Sequence, residues 1–184
     1  MQKKIIIGIT GHSGSGKGTI AQYLANHHKA QYIRYSDVFR NILNELHIEQ
    51  SRKNIDHISV TLREAFGQDV LGEVVKRKIE NSNSQLFVIE AIRRPADIED
   101  LLGIGKFILF FVDVPIETRH QRAVVRNQNP GDADKSLEEF AQDQKDDTQI
   151  RIEKLRDSAD YVIDNTRSEQ ELLVDIEKII KAVV

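Results

Sequence analysis

Apolar residues recur along the chain in two rhythms. Unbroken runs at Lys3 to Ile9 (KKIIIGI), Gln85 to Ala91 (QLFVIEA) and Phe107 to Val114 (FILFFVDV), with shorter ones at Gln31 to Tyr35 and Ala159 to Asp164, read as five buried strands. Between them the spacing turns helical. Thr19 to His28 carries Ile20, Tyr23 and Leu24 at helical intervals, and Ser36 or Asp37 is placed to cap a helix running to about Leu46. Further helices are expected near Arg52 to Phe66 and Val70 to Asn81, separated by Gly67, then after Pro95 and over Ile116 to Arg126. Ser136, with Glu139 at capping-box distance, opens another, and Ser168 to Val183 forms the last. Asn127 to Lys135 (NQNPGDADK) is a polar loop. Strands alternating with helices imply a five-stranded parallel sheet covered on both faces, a three-layer α/β/α single domain over residues 1–184. Ligands then bind at the carboxyl ends of the strands, which here carry Thr10 onward, Ser36 and Asp37, Glu90 to Arg94, and Asp113.

The first of these ends is unusual. In GITGHSGSGKGTIAQYLA, Gly11, Gly14, Gly16 and Gly18 fall within eight residues between a strand and a helix. Each costs backbone entropy and adds nothing to a core. A phosphate explains them, because such a loop aims backbone N–H groups at one point and the helix start adds unsatisfied amides. Gly11-x4-Gly16-Lys17 matches the P-loop spacing, with Lys17 reaching the terminal phosphates. Gly18 occupies the usual Ser/Thr position, so the hydroxyl for a magnesium shell would have to come from Thr19.

Composition changes this picture little. The 184 residues are 40% hydrophobic and 30% charged, with net charge −3, which argues against broad attraction to nucleic acid or membrane surfaces. No apolar run approaches a membrane helix, and MQKKIIIGIT leads straight into a strand instead of a signal peptide, so a cytoplasmic location is expected. With no cysteines, thiol catalysis and thiolate metal sites are excluded, and the six histidines form no metal-binding spacing. His27 and His28 read as partners of a helix C-terminus.

Three charged segments stand at or near the remaining strand ends. YSDVFR places Asp37 and Arg40 three apart on one helical face, where the arginine suits a phosphate and equally suits a solvated helix start. In FVIEAIRR, Glu90 at the strand tip can hold magnesium through water and Arg93 can take a second anion; the alternative is a structural ion pair. Arg122 and Arg126, at i, i+4 before the polar loop, repel one another unless an anion sits between them.

Together, ITGHSGSGKGT, SDVFR, EAIR and RAVVR resemble the nucleoside-monophosphate kinases of the adenylate-kinase type, in particular the compact adenylate-kinase-related proteins of archaea and some bacteria. LREAFGQDVL, SLEEF and ADYVIDN extend the likeness over nearly the whole chain, although only the P-loop is specific by itself. The resemblance implies ATP and Mg2+ as cofactors and a small-molecule acceptor. Gly11, His12, Ser13, Gly14, Ser15, Gly16, Lys17, Gly18 and Thr19 would hold ATP phosphates. Asp37, Arg40 and Arg93 would form the acceptor site, with the helices from Arg52 to Asn81 covering it. Arg122 and Arg126 would precede a short lid at about 127–135, one lying against the adenine and the other reaching phosphate, and Glu90 stands where the family has aspartate. Lys17, Arg122, Arg126 and Asp37 are thus the candidate catalytic residues, and Thr19 and Glu90 the candidate metal holders. The family often adds arginines after the lid, where residues 136–149 offer only Lys145, so Lys145 or Arg151 would have to substitute. Dephospho-coenzyme A kinases share the P-loop, the aspartate-valine pair and the terminal strand, with the aspartate acting as base toward a ribose hydroxyl. Arg40 and Arg93 favour an acceptor phosphate. A slow ATPase acting as a nucleotide-dependent switch is the other alternative, and the oligomeric state is open.

Overall fold

The computed structural model describes residues 3–127, 131, 133–143 and 147–184. Five strands, β1 (Lys4–Thr10), β2 (Gln31–Arg34), β3 (Leu86–Glu90), β4 (Gly105–Asp113) and β5 (Tyr161–Asp164), form one sheet in the order β2-β3-β1-β4-β5. All pairings are parallel. Because side chains alternate across a strand, the register sorts the apolar runs into two layers. Ile7, aligned with Val88 and Ile108, faces α1 (Lys17–His28) and α9 (Glu169–Val183), where Ile20, Leu24, Leu172, Ile176 and Ile180 are buried. Ile6, aligned with Phe87, faces the opposite layer, built from α2 (Tyr35–Glu45), α4 (Val70–Glu80) and α5 (Ala96–Glu99). The expected α/β/α sandwich is therefore present, and no helix among the described residues is long and apolar enough to cross a membrane.

Three differences from the sequence reading have local causes. Helix α2 starts at Tyr35, before Ser36 and Asp37, because the Tyr35 ring is buried and its hydroxyl donates to the Asp97 carbonyl at 2.5 Å. Ser36 and Asp37 consequently lie inside the first turn, and no side chain caps it. Among the helices from Arg52 to Asn81, α4 buries Leu71, Val75 and Ile79 against the sheet as a fixed core element. The intervening α3 (Arg52–Phe66) has one fully buried residue, and it is charged: Arg63. Finally, α6 (Ile116–Arg126) is followed by two helices, α7 (Leu137–Asp143) and α8 (Asp147–Asp157). The second was not expected, since its charged stretch shows no clear period and is fastened chiefly by Ile152 and Leu155. Capping boxes form at the starts of α7 and α9: Ser136 with Glu139, and Ser168 with Glu171.

Candidate active site

The loop Gly11–Gly16 leaves the central strand β1 between the tips of β3 and β4, the switch point of the sheet. Its glycines are required there by neighbours as well as by dihedral angle. Gly14 has φ +80°, and a Cβ would stand 2.5 Å from the Arg119 carbonyl oxygen; Gly16 has φ +92°, and a Cβ would collide with the Asn165 amide. Asn165, buried just after β5, donates from Nδ2 to the Ser15 carbonyl at 2.8 Å and accepts at its own carbonyl from Arg122 Nη2 at 3.0 Å. One residue thus fixes the loop and the helix α6 that flanks it.

Lys17 folds back over the loop. Its ammonium donates to the carbonyls of Gly11 at 2.8 Å and His12 at 2.7 Å, with Ser15 Oγ at 3.4 Å. Burial drives this ammonium down to about 7; Glu90 opposes the shift, while Arg93, Arg126 and Arg119 add to it. Three arginines from two further segments thus act on Lys17 alongside Glu90, a field that favours an anion at the loop. Bound phosphate would restore the Lys17 proton, so nucleotide binding at pH 8 is expected to take up close to one proton, roughly 0.9, and affinity should weaken as pH rises through 7. Calorimetry in buffers of different ionisation enthalpy measures this directly. A heat of binding independent of buffer would contradict it.

At the β3 tip the partners differ from expectation. Glu90 pairs with Arg34, its register neighbour at the end of β2, through Nε at 3.0 Å, and the Tyr32 hydroxyl donates to the same carboxylate oxygen. Arg34 also reaches the Tyr32 hydroxyl and lies over its ring, and burial followed by the Glu90 contact pushes the Tyr32 phenol up. The carboxylate faces the start of α1 across Gly18, whose bare backbone leaves its other oxygen 3.8 Å from where a Cβ would stand. That open oxygen fits a water-held magnesium ion. Thr19, one residue further around α1 by about 100°, lines a cleft with Gly16, Arg122, Asn165 and Glu169.

Beyond β3, Ala91 turns with φ +68° and Thr10 Oγ1 donates to the Ile92 carbonyl at 2.8 Å, tying the turn to β1. Asp97 organises the segment after this turn. Its carboxylate accepts from the amides of Arg93 and Arg94 at 3.3 and 3.2 Å and from Arg63 Nη2 at 2.8 Å, with side-chain exposures of 2% for Asp97 and 5% for Arg63. Arg63 Nη1 donates to the Gln68 carbonyl, and Arg94 Nη1 to the Gln68 side chain at 2.8 Å. The backbone carrying Arg93 is thereby joined to the end of α3. Arg94 is pulled down by burial and then by the charges of Arg63 and Arg151.

Asp37 is exposed in the first turn of α2, and Arg40 one turn on is half-buried, with Nη1 3.4 Å from Gln50 and a buried Nε that has no partner among the described residues. Arg122 is half-buried beside Gly16, whereas Arg126 is exposed at the helix end, so the two are not equivalent. His12 points away from the loop interior, bonding Glu153 of α8 and meeting the Phe111 ring edge-on. Arg156 of the same helix pairs with Asp113 at 2.7 Å. Most of the expected lid tip (128–130 and 132) and Lys145 lie outside the described residues. Sequence reading missed Arg34, Tyr32, Arg63, Asp97 and Asn165. The only available signals were that Arg63 and Asn165 fall in LREAFGQDVL and ADYVIDN.

The geometry has relatives. The family model described as AAA domain matches residues 10–141, from the end of β1 through α7. A UPF0200 protein of Methanothermobacter thermautotrophicus is 30% identical over 165 residues, covering 88% of this chain and 81% of the relative. The chain is an AAA-domain protein of the UPF0200 family. A second UPF0200 protein, from Pyrococcus abyssi, is 26% identical over 98% of this chain and 97% of its own length. Among solved structures, TT1252 from Thermus thermophilus has a TM-score of 0.67 at 20% identity, with all of both chains covered. Shikimate kinase from Acinetobacter baumannii, in complex with shikimate, has a TM-score of 0.57 at 18% identity, covering 100% of this chain and 93% of that one. The likeness gives this UPF0200 chain a P-loop kinase fold. That fold supports nucleotide-dependent phosphoryl transfer in general terms and leaves the acceptor unspecified.

Proposed function

We propose that the protein transfers the γ-phosphoryl group of ATP to a nucleoside monophosphate. The observation that carries this is Arg40, in the helix that follows β2, whose buried Nε has no partner among the described residues, with Arg93 held by its backbone at the exit of β3. A triphosphate alone would be served by the loop and Lys17; the further cations suit a second anionic group. In this reading the loop amides and α1 start bind the phosphates, and Lys17 exchanges the Gly11 and His12 carbonyls for phosphate oxygen. Arg122 and Thr19 border the cleft that receives the nucleoside end of ATP. Arg93 and Arg40 hold the acceptor, with α3 as its cover. Magnesium would neutralise charge on the phosphates, with Glu90 as the carboxylate that holds it through water. Phosphoryl transfer then needs little beyond positioning and charge stabilisation.

Arg40→Ala is expected to weaken acceptor binding by about one to two decades, the cost of one charge-assisted contact of about 1.5–3 kcal/mol, with ATP affinity nearly unchanged. An anionic acceptor needs little base catalysis, so Asp37→Asn should slow the chemical step less than Arg40→Ala weakens binding. Single-turnover kinetics on both variants separates the two effects. Collapse of the chemical step in Asp37→Asn, with acceptor affinity intact in Arg40→Ala, would instead indicate transfer to a ribose hydroxyl, as in dephospho-coenzyme A kinase.

A further inference from the structure

Glu90 is the carboxylate best placed for a nucleotide-bound metal, yet one of its oxygens is already used. Tyr32 and Arg34 both donate to Oε2. The Arg34 guanidinium is anchored a second time on the Tyr32 hydroxyl, at 3.1 Å from Nε and 3.0 Å from Nη2, and lies over the same ring. The pair is largely shielded, with side-chain exposures of 11% for Glu90 and 29% for Arg34, so solvent and salt only partly weaken it. A shielded carboxylate needs a counter-charge, and Arg34 supplies it in the protein without ligand.

We propose that Arg34 is a positioning residue that holds and neutralises Glu90 in place of a divalent cation, and that the cation accompanying the nucleotide binds against this ion pair. The inference rests on the P-loop reading of Gly11 to Thr19. Two features point the same way. Gly18 sets no side chain beside the Glu90 carboxylate at the start of α1, while Arg34 places a fixed positive charge on Oε2 and leaves Oε1 as the oxygen a cation would meet. A cation approaching Oε1 therefore meets a carboxylate whose charge is partly spent. Arg34 is also the residue that immediately precedes α2, so the ion pair stands at the base of the helix carrying Asp37 and Arg40.

The test is binding of Mn2+ in the presence of saturating ADP, read by the loss of the free-ion electron paramagnetic resonance signal, with ADP binding measured separately. Arg34→Gln is expected to bind Mn2+ roughly three- to tenfold more tightly than the native protein, because the competing charge is gone. Arg34→Lys, which keeps the charge, should remain close to native. In a Glu90→Gln background, Arg34→Gln should have no further effect, since the residue acts through that carboxylate. Arg34→Gln binding Mn2+ equally or more weakly would overturn the proposal. So would Glu90→Gln binding Mn2+ as tightly as native, in which case the nucleotide site still stands. Failure of the native protein to bind ADP would overturn the P-loop reading along with it.

Discussion

Lys17→Ala is expected to reduce nucleotide-dependent turnover by about a hundred- to a thousandfold, the usual cost of removing one preorganised donor from a charge-stabilising site. The size reflects its surroundings: the ammonium is buried among loop carbonyls, beside the one carboxylate that favours its charge and three arginines that oppose it. Its removal should leave the fold nearly as stable. The lost bonds to Gly11 and His12 are offset by relief of a cation that burial disfavours. Turnover and a denaturation curve on the same preparation check both halves. Native-like turnover in the folded variant would show that the loop does not act through Lys17.

The largest expected effect on stability lies at Asp97, outside every motif. Asp97→Ala leaves the Arg63 guanidinium buried without its carboxylate and strips two amides of their acceptor, so a loss of about 3–5 kcal/mol is expected in urea denaturation. Arg63→Met should cost less, since Asp97 then keeps both amides and the methionine fills the space of the arginine stem. The ordering of the two variants is the useful result. Asp97→Ala within about 1 kcal/mol of native would mean that the junction between α3 and the β3 exit contributes little.

Local features were the legible ones in the sequence. The P-loop lies within one short segment, and its three positive-φ glycines are needed by the turn itself. The five strands announce themselves as apolar runs because parallel strands are covered on both faces. The layered fold followed from their alternation with helices. Glu90 was found for its place at a strand tip, but its partner was not, since Arg34 lies 56 positions away and meets it only through strand register. Arg63 with Asp97, separated by 34 positions, and Asn165 with Ser15, separated by 150, were hidden for the same reason. Thr19, the hydroxyl nearest in sequence to Gly18, lies one step further around the helix, on the cleft that Arg122 and Asn165 border. The limits of α2 were set by the burial of Tyr35 and not by the capping propensity of Ser36 or Asp37.

Acceptor-dependent transfer from ATP labelled in its γ-phosphoryl group bears most directly on the proposed function. The folded protein is offered ATP and Mg2+ with each of the nucleoside and deoxynucleoside monophosphates, with dephospho-coenzyme A, with shikimate, and with no acceptor. The account predicts that label appears in a nucleoside diphosphate, that one or a few monophosphates are strongly preferred, and that Arg40→Ala raises the concentration of acceptor required. Label released only as inorganic phosphate, at a rate no monophosphate changes, or carried to a hydroxyl of dephospho-coenzyme A or shikimate in preference to any monophosphate, would contradict it.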